Sequence, residues 1–185
     1  MKLIVSVRDL AVTQGSVTAL LFLMIPLVHL LSDSSYRWAA TLHGLASVMT
    51  MIASFVTVHL ITMLLKGNKE IVHSVTIWVW VTNVLILLAI IFGNWLYIGY
   101  RAPDNVQQWL QFHEPAMHFI VMEFKEFVAL GSLPFGVIGG MLLQFYRRME
   151  DKQLAGLIAF FIYASWLCLL LSFVTGLGLT LVKSV

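Results

Sequence analysis

Six histidines lie in a chain of 185 residues that is 60% hydrophobic and only 11% charged. Ionisable side chains are costly inside a bilayer and usually have a function there. Neutral imidazole is a common ligand of haem iron, and helix bundles build haem sites from side chains on facing helices. The histidines are therefore the first candidates for chemistry. They are His29, His43, His59, His73, His113 and His118.

Long apolar runs must position these histidines. Runs of about 18 residues or more predict transmembrane helices, and five are present, at 11–31, 38–65, 72–100, 115–146 and 154–182. No small-residue cleavage site follows the first run, which favours a retained helix over a secretion signal. The sequence therefore predicts an all-α fold, with residues 1–185 forming one integral membrane bundle of about five transmembrane helices in the lipid bilayer.

The distribution of lysine and arginine predicts the orientation of this bundle. Loops on the cytoplasmic side of a membrane carry an excess of these residues. Seven lie on one side of the predicted bundle, namely Lys2, Arg8, Lys66, Lys69, Arg147, Arg148 and Lys152. Three lie on the other, namely Arg37, Arg101 and Lys183. We therefore expect a cytoplasmic N-terminus and an outside C-terminus, and the short loops and charge bias suit a bacterial inner membrane.

On this topology the histidines fall into two groups. Four lie toward the outer face: His29, His43, His113 and His118. Two lie toward the cytoplasm: His59 and His73. Two imidazoles from different helices could bind one iron on opposite sides. An outer pair drawn from His29, His43 and His118, and an inner pair formed by His59 and His73, would fit one or two b haems.

The second predicted helix carries a polar stripe. Its members recur at spacings of four, three, four and three residues: His43, Ser47, Thr50, Ser54 and Thr57. At about 100° per residue they share one narrow face, which should pack against other helices or a cofactor. His59 follows His43 by 16 residues, or about 160° around the helix, so two haems would lie against different faces. Simple helix packing is the alternative explanation of the stripe. A position near the lipid headgroups is the alternative for His59 and His73.

The fourth predicted helix contains a cluster of charged residues. Glu123 and Glu126 are three residues apart, so they share a face and repel each other when both are charged. We expect one to hold a proton, or a cation to lie between them. Lys125 has no acidic partner three or four residues away on its own helix. Direct metal binding by Glu123 and Glu126 with His118 is a weaker hypothesis, because the spacing differs from that of di-iron bundles. Alternatively, these charged side chains could lie just outside the lipid.

Other classes of protein are not favoured. A formal net charge of +2 is too small to indicate nucleic acid binding, and Cys168 is the sole cysteine, so an internal disulfide or a cysteine cluster cannot form. The chain lacks a P-loop, a nucleotide-binding glycine motif, a Ser-His-Asp pattern and a Cys-x-x-Cys-His haem attachment motif.

In size, helix count and histidines near helix ends, the chain resembles small membrane cytochrome b subunits. These include the cytochrome b561-like proteins and the five-helix haem anchors of quinone-linked oxidoreductases. The resemblance implies haem b, a quinone and electron transfer to a cytochrome c or iron–sulfur protein on the outer face, within a larger redox complex. It makes His43 and His118 the first-choice haem-iron ligands, with His29 as the alternate, and Glu123 and Glu126 proton carriers. The 16-residue step from His43 to His59 departs from the best-known pattern of that family, which leaves haem number and pairing open.

Two further hypotheses remain open. The chain could be a cofactor-free anchor or assembly subunit of a larger complex. It could also be a metal or proton-coupled transporter component that uses His118, Glu123 and Glu126. Haem binding requires histidines that face each other across helices, transport requires carboxylates on a path open to both sides, and an anchor requires neither.

Overall fold

A computed structural model describes residues 36–103, 105–145 and 152–183, and all regular structure in those ranges is helical. The helices are α1 (Tyr36–Leu65), α2 (Val72–Tyr100), α3 (Val106–His113), α4 (Glu123–Phe145) and α5 (Lys152–Val182). A 3-10 turn at Lys69–Ile71 leads into α2, and a π-helical segment at Met117–Met122 leads into α4.

Four of these helical stretches are long and apolar enough to cross a membrane. They are Tyr36–Leu65, Lys69–Tyr100, Met117–Phe145 and Lys152–Val182, with mean hydropathy between 1.7 and 2.5. The chain is therefore a multi-pass membrane protein, and all regular structure in the part that the structure describes is helical. The helix predicted at 11–31, together with His29, lies outside the described residues, so the fifth helix stays a prediction.

The four long helices run antiparallel to their neighbours and pack in a ring. The helix α1 packs on α2, α2 on α4, α4 on α5, and α5 back on α1. At one end of the bundle, Gly99 of α2 lies against the ring of Tyr36. At the other end, the hydroxyls of Thr62 and Tyr163 are 2.8 Å apart. These ends are called the Tyr100 end and the Leu65 end below.

The interior is apolar near both ends and polar between them. One apolar cluster, near the Leu65 end, contains Ile61, Leu64, Val75, Val79, Leu143, Ile158, Ala159 and Ile162. The other, at the Tyr100 end, contains Tyr100, Val106, Leu110, Met122 and Leu179. Buried polar side chains are Thr50, Ser54, Thr57, Thr76, Thr82, Asn83, His118, Ser132 and Ser165. The predicted inward-facing stripe on α1 is thus confirmed for Thr50, Ser54 and Thr57, each less than 5% exposed.

Glycines on α4 allow its neighbours to approach closely. A Cβ on Gly136 would meet Asn83 of α2, and one on Gly139 would lie 2.8 Å from Ile162 of α5. Small residues are common at such contacts in membranes, because packing and hydrogen bonding drive helix association there. Since α4 contacts α2 and α5 through this glycine face, it joins the two halves of the ring.

The segment between α2 and α4 differs from the prediction. The sequence predicts one continuous fourth helix over 115–146, joined to the third by a loop. Instead, a separate eight-residue helix, α3, precedes a π-helical segment. The Asn105 side chain accepts a hydrogen bond from the backbone N–H of Val106 and donates one to the carbonyl of Gly99 at 2.7 Å. This pair of bonds fixes the start of α3 to the end of α2.

A glycine-to-alanine pair tests the packing at the Tyr100 end. A Cβ on Gly99 would lie 2.5 Å from the Tyr36 ring, whereas one on Gly44 would meet nothing within 4 Å. Overpacking costs about 1–3 kcal/mol. We expect Gly99→Ala to lower the unfolding midpoint in detergent, and Gly44→Ala to leave it unchanged or slightly raised. Equal midpoints for the two variants would contradict the packing of α1 on α2.

Candidate functional site

His43 lies between α1 and α2 near the Tyr100 end. Its Nδ1 is 2.9 Å from the carbonyl oxygen of Ala89. Because a carbonyl only accepts hydrogen bonds, Nδ1 carries the proton, and the lone pair of the neutral ring is then on Nε2. The imidazole fits against Gly93, where a Cβ would lie 3.0 Å from His43 Cε1. The side chain is therefore held in one orientation, with the lone pair of the neutral ring on Nε2.

Lys125 approaches the same region from α4. Its side chain is partly buried and lies against Gly176 of α5, where a Cβ would be 3.2 Å from Lys125 Cε. It is close enough to His43 for the charges of the two side chains to interact. Glu126 is near enough to interact electrostatically with Lys125. However, Lys125 forms no ion pair within 4 Å with any described residue. The described residues therefore compensate the ammonium group only in part.

The two carboxylates beside Lys125 have different surroundings. Glu126 is partly buried and lies near enough to the Tyr97 hydroxyl to interact with it. The guanidinium carbon of Arg101 lies 4.6 Å from the centre of the Tyr97 ring. Glu123 is exposed. Of the two, Glu126 is thus the carboxylate that is held within the site.

His118 pairs with Tyr100 nearer the end of the bundle. The Tyr100 hydroxyl is 2.6 Å from His118 Nδ1, and both side chains are 4% exposed. His118 belongs to the π-helical segment, a local distortion that frequently occurs at functional sites. The pair fixes this segment against the end of α2.

His43 and His118 lie at different depths. His43 packs against Gly93, and His118 is bonded to Tyr100, seven residues further along α2. At 1.5 Å per residue this offset is about 10 Å. Lys125 also follows His118 by seven residues, and therefore lies nearer in depth to His43. The structure brings His43 together with Lys125 and not with His118.

The other predicted histidines have no such surroundings. His59 and His73 are exposed on the half of the bundle toward the Leu65 end. His113 is exposed and stacks on Trp109 at 4.7 Å between ring centroids. His29 lies outside the described residues. Within the described ranges no three His, Cys, Asp or Glu side chains are grouped to hold a metal ion, so His118, Glu123 and Glu126 form no such group there.

Several residues of the site were not singled out from the sequence. Tyr100 is buried and bonded to His118, a pairing that the sequence does not indicate. Asn83 is an amide side chain within the apolar run 72–100, and such side chains commonly hydrogen-bond across helices in membranes. The structure places it beside Ser165 and Gly136 at the centre of the bundle.

Comparisons of the chain with known protein families, with curated proteins and with solved structures found no match. Function is therefore inferred from the chemistry of the residues just described. The central ones are His43, Lys125, Glu126, Tyr97 and the pair formed by Tyr100 and His118.

Removing the Tyr100 hydroxyl tests the His118 pair. Tyr100→Phe would leave a buried histidine nitrogen without its partner, which costs about 1–3 kcal/mol. We expect a lower unfolding midpoint and earlier proteolysis between α3 and α4. Tyr36→Phe is the matched control, because the Tyr36 hydroxyl forms no hydrogen bond with the described residues. If both variants were as stable as the parent protein, the bond would contribute nothing to stability.

Proposed function

We propose that this protein is a b-type haem-binding membrane subunit that passes electrons between the quinone pool and a partner redox protein. The observation that carries the proposal is the position of His43. Its Nδ1 is bonded to the Ala89 carbonyl, and Lys125, near enough to interact with it electrostatically, has no carboxylate within 4 Å among the described residues. Histidines that bind metals commonly use one nitrogen for the metal and the other for a carbonyl.

The residues around His43 suit a haem group. A charge inside a membrane bundle needs a counter-charge nearby. A haem propionate would supply one for Lys125, and His43 Nε2 would supply a ligand for the iron. When bound, haem supplies one-electron transfer, while the protein determines its orientation, its surroundings and the nearby charge.

The second iron ligand is proposed to be His29. The offset of about 10 Å between His43 and His118 disfavours that pair as ligands of one iron. By sequence His29 lies at the end of the first predicted helix, on the same side as His43. His59 and His73 are exposed, so a single haem at the Tyr100 end is favoured over two.

Glu126 is proposed to hold and release a proton near the quinone. Quinone reduction takes up protons as well as electrons, so a quinone site needs groups that transfer protons. The Glu126 carboxylate is partly buried and near the Tyr97 hydroxyl. Glu123, which is exposed, would exchange protons with the surrounding solution.

The proposed orientation has the Tyr100 end outside a bacterial inner membrane and the N-terminus in the cytoplasm. The Lys and Arg distribution supports this orientation. The partner, a cytochrome c or an iron–sulfur protein, would then dock on α3 and the adjoining π-helical segment. The cofactor-free anchor is the second candidate, and the exposure of His59, His73 and His113 is the observation that favours it.

A reduced-minus-oxidised visible spectrum of the detergent-purified protein, with pyridine haemochrome quantitation, tests the proposal. The protein is expressed with ample haem and its native partners. We expect a sharp b-type band that is lost in His43→Ala and His29→Ala. His73→Ala is the matched control and should retain the band, because that side chain is exposed at the other end of the bundle. A flat spectrum from the parent protein would overturn the proposal and favour the anchor.

Lys125 gives an independent prediction. A positive charge near haem favours the reduced form, because reduction removes one positive charge from the iron. We therefore expect Lys125→Met to keep the b-type band but lower its midpoint potential in a redox titration. Lys152→Met, at the Leu65 end, should leave the potential unchanged. Identical potentials in all three proteins would place the haem away from Lys125.

A further inference from the structure

A small cavity lined by both polar and apolar side chains lies at the centre of the bundle, between the two apolar clusters. Its volume is about 20 Å³. It is lined by Ser54, Thr57, Val58, Val79, Thr82, Asn83, Gly136, Ile162, Ser165, Trp166 and Leu169. These residues come from all four long helices. Room for one water molecule requires about 10–15 Å³, so the space admits one water and excludes anything much larger.

Two hydrogen-bond donors in this lining have no partner among the described residues. Asn83 Nδ2 and Trp166 Nε1 are buried, and neither is hydrogen-bonded to that part of the chain. Asn83 is only 4% exposed. In hydrocarbon surroundings an unpaired polar group is costly, at about 1–3 kcal/mol in protein measurements.

The hydroxyls of the same cavity offer acceptors. Ser54 donates to the Met51 carbonyl at 2.7 Å, and Ser165 donates to the Ser132 carbonyl at 2.8 Å. With their single protons used, the two oxygens keep only lone pairs for further bonding. The lining therefore presents N–H donors without a described partner together with hydroxyl acceptors. A ligand that pairs with all of them must both accept and donate hydrogen bonds.

Gly136 keeps this space open. A Cβ at this position would meet Asn83 Oδ1 and would lie 3.1 Å from Ser165 Oγ. Any larger residue would force the amide away from α4. The absence of a side chain at position 136 thus leaves room for the Asn83 amide beside Ser165.

We infer that this cavity is a binding site for one ordered water molecule, which accepts hydrogen bonds from Asn83 and Trp166 and donates to the oxygens of Ser54 and Ser165. Buried waters typically make about three hydrogen bonds to otherwise unpaired groups. A metal cation is a poor occupant, because two N–H donors would face it. An anion is a poor occupant as well, because the lining carries no positive charge.

Water–protein NMR on the full chain in lipid nanodiscs tests this inference. With ¹⁵N-labelled tryptophan and asparagine, the Trp166 indole is assigned by its loss in Trp166→Phe. We expect a cross-peak between the Trp166 Nε1 proton and water, with the sign of a bound water, and a second at the Asn83 amide. Asn83→Leu should remove the cross-peak at Trp166, because the leucine side chain would fill the cavity and remove one partner of the water.

Two outcomes would overturn the inference. The first is a parent protein with no water cross-peak at either side chain, which would mean a dry cavity. The second is a Trp166 indole shift that changes with sodium chloride concentration, which would indicate a bound ion. Gly136→Ala and Gly156→Ala provide a matched pair that does not depend on Asn83→Leu folding. The first should abolish the cross-peak, and the second, in open space, should preserve it.

Discussion

Hydrocarbon offers no hydrogen-bond partners, so the polar groups inside this bundle depend on one another. Most hydroxyls of the α1 stripe meet this constraint within their own helix. Thr50, for example, donates to the Ala46 carbonyl at 2.7 Å. Thr57 also lies 2.9 Å from Thr82 across the helix contact. Where such local bonds are not made, at Asn83 and Trp166, the bundle contains a cavity. The apolar clusters on either side separate that polar centre from both ends.

The transmembrane part of the fold was predictable because length and hydropathy indicate it directly. The apolar run predicted at 72–100 has the bounds of α2, Val72–Tyr100. The inward stripe on α1 followed from helical periodicity in the same way. The chain between α2 and α4 was not predictable by these means. Its helix α3 is short, and the π-helical segment has no characteristic sequence pattern, so hydropathy cannot distinguish either from the end of a longer helix.

The chemistry of the candidate site was predictable only in part. Residue type and approximate depth identified His43, and the lack of an acidic partner three or four residues away marked Lys125. Which side chains meet depends on the register between helices, and small contacts set that register. Gly99 fits under Tyr36, and Gly93 fits under His43. The contact of His43 with Gly93 and the bond of His118 to Tyr100 lie seven residues apart on α2, or about 10 Å. The amino-acid sequence alone does not indicate which residues pack together, so it does not predict this difference in depth.

Lys125 links the packing to the proposed function. Its side chain lies within a membrane span, packs against Gly176 of α5 through Cε, and is near enough to His43 of α1 to interact with it electrostatically. In a pure anchor a partly compensated charge at this position would only lower stability, and an uncharged side chain of similar size would pack as well. In the proposed function an anionic group beside His43 would compensate this charge. The same group would then strengthen the packing of α4 on α5, so ligand binding and assembly of the Tyr100 end would depend on each other.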